Sequence, residues 1–239
     1  MAGGEGRRLR PLTHETPKPL LRVGGKPILE HLLVRLKRSH VDRVTVAVAH
    51  LAPKIEAYFG AGTDRGMHIS YLHESIPLGT AGALAQLDDF DEPILMVNGD
   101  ILTDLDFNQL VIKHRSLNAV LTVASKVSMT NLSLGVLDVD SNGMVAAYRE
   151  KPRLEHRVGI GIYVVAPEVK EFIPVNQPLD MPDLINALIS AGKTVACYDH
   201  SGNWIDIGTP DEYARVEEHH WLGNGFGSRV ATAPAGSIS

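Results

Sequence analysis

The chain has a single cysteine, Cys197, so an internal disulfide framework is excluded, and a reducing, cytoplasmic setting is expected. Cys197 lies in TVACYD, where a buried strand residue is expected rather than a nucleophile. No stretch approaches the ~18 consecutive apolar residues of a membrane helix, and no basic-then-apolar leader opens the chain. There is no G-x-x-x-x-G-K-[ST], which excludes a Walker P-loop, and no G-x-G-x-x-G, which disfavours a dinucleotide-dependent dehydrogenase. The eleven histidines include no HExxH, and His219-His220 reads as solvated rather than metal-binding. Hexapeptide repeats are absent, so no left-handed β-helix is expected. A net charge of −5 argues against nucleic acid as a partner.

What is present fits an α/β domain. At 239 residues and 44% hydrophobic content the chain can bury a substantial core. Pro27–His40 reads as a helix with Ile28, Leu29, Leu32, Leu33 and Leu36 on one face. Arg43–Ala49, Met67–Leu72 and Pro93–Val97 read as strands, and Pro53–Phe59, Gly79–Leu87 and the region near Asp106–Arg115 as helices. That alternation implies a parallel sheet covered on both faces. After residue 115 four strands follow closely: Ala119–Ser125, Leu134–Val139, Met144–Tyr148 and Val158–Ala166, with a hairpin turn at Ser141-Asn142-Gly143. Pro182–Ala191 reads as a helix, Thr194–Tyr198 as a strand and Pro210–Leu222 as a closing helix. One domain over 1–222 is expected, with a parallel-sheet half at 1–115 and a mixed-sheet half at 116–222, the kind that usually carries a second substrate. Residues 223–239 read as a loose tail. The sequence opens directly in a glycine-rich loop, so a first strand is expected to be missing.

Chemistry concentrates at the start. Arg7, Arg8, Arg10, Lys18, Arg22 and Lys26 face only Glu5 and Glu15 within the first 26 residues of an otherwise acidic chain, which suits a small polyanionic ligand. Gly3, Gly4 and Gly6 let backbone N–H groups approach such a ligand. The arginines offer forked donors for phosphate, and Lys18 is a point charge held between Pro17 and Pro19. On spacing alone a flexible surface loop is equally open. Asp100 ends the buried run ILMVNGD and so reaches the carboxyl edge of the sheet, where open α/β folds bind ligands. Asp206, among Trp204, Ile205 and Ile207, needs a partner: a metal, a basic residue, or the helix starting near Pro210. Two hard oxygen donors plus substrate phosphates suit Mg²⁺.

Taken together, AGGEGRRLRPLTHETPKPLL, PLGTAGAL, VNGD, EKP, GIYV, DMPDL and WIDIGTPDEY resemble the signature of the sugar-phosphate nucleotidyltransferases, over about residues 2–215. The resemblance implies a Rossmann-like, three-layer nucleotidyltransferase (GT-A-like) fold with a mixed, mainly parallel sheet. It also implies an enzyme that joins a nucleoside triphosphate to a sugar 1-phosphate with release of pyrophosphate. It assigns Gly3, Gly4, Gly6, Gly79 and Thr80 to the nucleotide, Arg8 and Lys18 to catalysis, Asp100 and Asp206 to Mg²⁺, and Gly135, Glu150 and Lys151 to the sugar phosphate. The chain departs from the pattern at Arg7, where a small hydroxyl residue is usual, and at Gly159, where asparagine is common.

Glu74 stands where members selective for uracil or thymine carry an amide. A carboxylate accepts from guanine N1–H and N2–H₂ together, so GTP is favoured, with UTP or dTTP as the alternatives. The PLGTAGAL and DMPDL segments are most similar to mannose-1-phosphate guanylyltransferases and relatives behind tandem CBS domains. Mannose 1-phosphate or an amino-sugar 1-phosphate is therefore the expected acceptor. Homo-oligomers or fused CBS regulatory domains are the expected assembly context. The rival reading is a non-catalytic nucleotide-sugar-sensing subunit; retention of both carboxylates with Arg8, Lys18 and Lys151 argues against it.

Overall fold

The computed structural model describes residues 1–87 and 90–218. Its strands are β1 (Arg22–Val23), β2 (Lys26–Pro27), β3 (Arg43–Val48), β4 (His68–His73), β5 (Ile94–Val97), β6 (Ile101–Thr103), β7 (Leu121–Asn131), β8 (Val136–Val139), β9 (Val145–Arg149), β10 (Arg153–Val165), β11 (Val195–Asp199) and β12 (Trp204–Asp206). Its helices are α1 (Ile28–Arg38), α2 (Ala52–Phe59), α3 (Gly79–Gly82), α4 (Phe107–Ser116), α5 (Met181–Ser190) and α6 (Pro210–Glu218).

These elements form two compact units, with described residues 1–75, 99–104 and 204–218 in the first and 76–98 and 105–203 in the second. The chain therefore crosses between units at 75/76, 98/99, 104/105 and 203/204, whereas the sequence pointed to a single division at residue 115. The expected tail, 223–239, lies outside the described residues.

In the first unit β3 and β4 run parallel, Arg43 opposite His68 through Val48 opposite His73. The apolar face of α1 is buried as its spacing requires: Ile28, Leu29, Leu32, Leu33 and Leu36 are each at most 6% exposed. Pro27 precedes this helix as its cap residue instead of occupying its first turn. Ala2 N–H donates to the Ala47 carbonyl at 2.9 Å, so the chain enters the glycine loop from beside β3, and no strand precedes Arg22 among the described residues.

The second unit holds a mixed four-stranded sheet in the order β11-β7-β10-β5. Strand β10 is antiparallel to both β5 and β7, and β11 is parallel to β7, so three of the four strands share one direction. Leu121, Ala124, Ile160, Ile162 and Val164 form its interior with Phe107 and Leu110 of α4 and Leu184 and Leu188 of α5. Asp106 starts α4 by accepting from the N–H groups of Asn108 and Gln109, at 2.9 and 3.2 Å. Strand β7 outruns the apolar stretch that marked it: past Ser125 its ladder with β10 continues to Asn131 opposite Arg153, through residues mostly exposed to solvent. Cys197 on β11 is exposed, contrary to expectation, because its side of the strand is left uncovered.

Candidate active site

Asp100, Asp206 and Lys18 meet in the first unit because of a ladder too short to leave a sequence pattern. Strands β6 and β12 pair antiparallel with Asp206 opposite Ile101, and Ile207 N–H donates to the Asp100 carbonyl at 3.2 Å. Both carboxylates meet one ammonium, that of Lys18. Lys18 is held by a 3₁₀ turn, Lys18–Leu20, that follows the extended Pro17. Its ammonium donates to Asp100 and lies 3.8 Å from Asp206 Oδ1.

Apolar anchoring fixes this group. Leu9 follows Arg8, Leu102 lies just beyond Asp100, and Ile207 follows Asp206; all three sit in one buried cluster with Leu21, Val23, Ile28 and Val216. Each fully buried leucine or isoleucine contributes about 1.5–3 kcal/mol. The candidate side chains Arg8, Asp100 and Asp206 thus sit one or two residues from buried anchors. Asp206 does not cap α6, one of the alternatives its sequence left open. Thr209 does so: its hydroxyl accepts from Glu212 N–H at 3.3 Å, while Glu212 accepts from Gly208 N–H and the Thr209 hydroxyl, each at 2.9 Å. The Thr-Pro-Asp-Glu spacing is that of a capping box and was legible in the sequence.

Of the phosphate-loop candidates, Gly4, Gly6, Arg8 and Lys18 line a cleft of about 280 Å³ with Gly99 and Asp100, whereas Gly3 is not part of its lining. Gly6 has a left-handed backbone (φ 61°), and a Cβ there would lie 2.9 Å from Thr13 Cγ2. Thr13, only 1% exposed, donates its hydroxyl to the Gly6 carbonyl at 2.8 Å and so holds the turn of the loop. Sequence reasoning passed over Thr13, whose hydroxyl gives no signal until its burial is known. A Cβ on Gly208 would come within 3.1 Å of Arg8 Nη2, so that glycine clears room for the guanidinium. Arg7, the departure from the family pattern, makes a forked ion pair with Glu5 on the surface, Nε to Oε2 at 2.7 Å and Nη2 to Oε1 at 3.1 Å.

Electrostatics mark two acids. Burial, reinforced by Asp100, raises Asp206 above the usual carboxylate range against the opposing pull of Lys18 and Arg8. Burial also raises Glu74. The Oδ1 atoms of Asp100 and Asp206 and Oε1 of Glu74 are buried without a hydrogen-bond partner among the described residues. Orphaned carboxylate oxygens of this kind are costly unless something pairs with them. Two of them at one point, hard and adjacent, fit Mg²⁺. Glu74 lies at the end of β4 facing the loop: a Cβ on Gly3 would stand 3.1 Å from its Oε2.

The remaining candidates belong to the second unit. Gly79 and Thr80 open α3, the first part of a predicted helix that breaks after one turn into a 3₁₀ segment, Ala83–Gln86. Gly135, Glu150 and Lys151 come together at the base of the β8–β9 hairpin, where Val136 pairs with Arg149. Lys151 Nζ lies 4.0 Å from Glu150 Oε1, and Lys151 has a left-handed backbone (φ 42°). Tyr148, not anticipated from the sequence, donates to Glu150 Oε2 at 2.6 Å, and its hydroxyl oxygen lies 2.1 Å from where a Cβ on Gly135 would be. At Gly159 the nearest atom to such a Cβ is Val123 Cγ1 at 3.6 Å, so a side chain fits there.

With this geometry in view, the nucleotidyl transferase family model matches residues 1–220. The chain belongs to the nucleotidyl transferase family. The chain is 35% identical over 233 residues to a UTP–glucose-1-phosphate uridylyltransferase of Synechocystis, covering 89% of the chain and 60% of the relative. It is 34% identical over 220 residues to the mannose-1-phosphate guanylyltransferase catalytic subunit beta of Drosophila pseudoobscura pseudoobscura, covering 89% of the chain and 59% of the relative. The chain thus spans about three fifths of the length of these relatives. Its fold is that of HddC from Yersinia pseudotuberculosis, with a TM-score of 0.69 at 23% identity, covering 91% of this chain and 96% of that one. No helix among the described residues is long and apolar enough to cross a membrane.

Proposed function

We propose that the protein transfers a nucleoside monophosphate from a nucleoside triphosphate to a sugar 1-phosphate, forming an NDP-sugar and pyrophosphate in the cytoplasm. The observation that carries this reading is the adjacent pair Asp100 and Asp206, each with an orphaned buried oxygen, beside Lys18 and a glycine-rich loop. The acceptor is a phosphate oxygen that is already anionic, so neither a general base nor an enzyme nucleophile is needed. Catalysis is then positioning and charge neutralisation.

Asp100 and Asp206 would hold Mg²⁺, which supplies positive charge to the phosphates when bound. Lys18 neutralises the reacting phosphate, Arg8 the departing pyrophosphate, and Gly3, Gly4 and Gly6 present backbone donors to the triphosphate. Gly135, Glu150 and Lys151 take the sugar phosphate. Glu74, whose Oε2 faces the loop at Gly3 and whose Oε1 has no hydrogen-bond partner among the described residues, favours GTP. Mannose 1-phosphate or an amino-sugar 1-phosphate is the favoured acceptor, in keeping with the guanylyltransferase relative. The 35% identity to a uridylyltransferase supports a second reading, UTP with glucose 1-phosphate.

The test is pyrophosphate release with Mg²⁺, crossing GTP, UTP, dTTP, CTP and ATP with mannose, glucose and glucosamine 1-phosphates. Release with one pair, lost in Asp100→Asn, supports the reading and names both substrates. Nucleotide binding without release from any pair overturns it in favour of a sensing subunit.

A further inference from the structure

Two segments about a hundred residues apart cap each other in the second unit. Asp180 precedes α5, yet its side chain makes no cap bond to its own helix. Its Oδ1 instead accepts from Thr80 N–H at 2.9 Å and from the Thr80 hydroxyl at 3.2 Å. Thr80 answers in kind: its hydroxyl oxygen accepts from Met181 N–H at 2.8 Å, a donor at the open end of α5. Each helix start thus has one unpaired donor satisfied by the other segment's side chain.

Backbone bonds complete the clasp. Leu179 N–H donates to Leu78 O at 2.8 Å, and Ala81 and Gly82 N–H both donate to Leu179 O, at 2.9 and 3.1 Å. The fit demands glycine at two places. Gly79 has φ 75° and a Cβ there would sit 2.6 Å from Leu179 O; at Gly82 one would meet Leu78 Cβ at 3.0 Å and Gln177 O at 3.1 Å. The turn Leu78–Gly82 therefore takes its shape from residues 177–181.

We propose that Asp180 is a positioning residue for nucleotide binding, acting through Thr80 to hold the Gly79–Thr80 turn in its binding shape. This rests on the reading that the Gly79–Thr80 turn meets the nucleotide. The N–H and hydroxyl of Thr80 are spent on the clasp, as are the N–H groups of Ala81 and Gly82, so what the turn offers a nucleotide is above all its shape. Loss of Asp180 frees the turn to sample other conformations, and the cost of re-ordering it falls on nucleotide affinity. The sugar-phosphate candidates Glu150 and Lys151 lie outside the clasp and keep their own surroundings.

The experiment compares the full chain with Asp180→Ala, Asp180→Asn and Thr80→Val. It measures the Kd for each Mg-nucleoside triphosphate by calorimetry, kcat and both KM values from pyrophosphate release, and folding by circular dichroism. For the nucleotide that binds the wild type best, Asp180→Ala and Thr80→Val are expected to raise Kd and KM about tenfold. The sugar 1-phosphate KM and kcat of Asp180→Ala stay within about twofold. Asp180→Asn, which keeps the Oδ1 acceptor, recovers most of the affinity. Folded Asp180→Ala with unchanged nucleotide Kd overturns the proposal, as does an equal shift of both KM values and kcat. A wild type that binds nucleotide but releases no pyrophosphate defeats the catalytic reading, and the Kd comparison still decides the role of Asp180.

Discussion

Asp206 stands opposite Ile101 on a three-residue ladder, and this one register puts its carboxylate beside that of Asp100 with the Lys18 ammonium between them. Like charges this close disfavour joint ionisation, and Asp206 is accordingly raised, by burial first and by Asp100 second. Mg²⁺ binding requires both acids ionised. On the proposed reading its affinity should fall as pH drops, and sooner than with an unshifted carboxylate, because the Asp206 pKa is raised. Titration of Mg²⁺ across pH 4.5–8, read by thermal shift, checks the sign. Asp100→Asn and Asp206→Asn should each lower kcat roughly 10²–10³-fold, and EDTA should abolish turnover reversibly.

Thr13 is expected to matter through Gly6. Thr13→Val keeps the shape but leaves the Gly6 carbonyl without its donor, at a cost of about 1 kcal/mol. Gly6→Ala forces a side chain into a left-handed turn, about 1–2 kcal/mol before any clash with Thr13. Denaturant melts should reproduce that order, and the nucleotide KM should rise more in Gly6→Ala than in Thr13→Val.

Gly135 and Tyr148 form a second steric pair. An alanine at 135 would drive the Tyr148 ring away and break its bond to Glu150, so Gly135→Ala should raise the sugar 1-phosphate KM about tenfold while leaving nucleotide Kd unchanged. Tyr148→Phe, which loses only the hydroxyl, should do so by a few-fold. Equal effects on both substrates would count against a sugar-phosphate role for this corner.

His114 is expected to contribute to the pH dependence of stability. It is 2% exposed, its Nδ1 is 2.8 Å from the Thr122 hydroxyl, and burial lowers its pKa, with Arg115 adding to the effect. The unfolded chain then binds the proton first. Stability should be level above the unfolded value near 6.5, fall as pH drops below it, and level off beneath the lowered folded value. Chemical denaturation of wild type and His114→Gln over pH 5–8 should show that slope only in the wild type.

Much of this was legible because the relevant patterns are long or chemically explicit. The α1 stripe, the β3 run RVTVAV and the glycine–arginine loop each appear where their spacing puts them. The short ladder β6–β12 was not legible, since three residues carry no periodicity, yet it is what joins Asp100 to Asp206. The outer half of β7–β10 was missed for a different reason: backbone pairing continues where burial stops, and the apolar residues that alternate there, Val127 and Met129, face solvent instead of a core. Thr13 and Asp180 are polar residues whose partners lie 7 and 100 positions away, and only the fold reveals what they hold.

The interleaving of the two units has a consequence for how the protein is made. Lys18 and Asp100 leave the ribosome well before Asp206, and the intervening residues, mostly of the second unit, are synthesised first. At about 5–20 residues per second that delay is on the order of ten seconds. Throughout it, β6, which follows Asp100, lacks its β12 partner and the Leu9–Ile28 cluster lacks Ile207 and Val216. A nascent chain stalled before residue 204 has no Asp206, so the carboxylate pair arrives only with the last few per cent of the described chain.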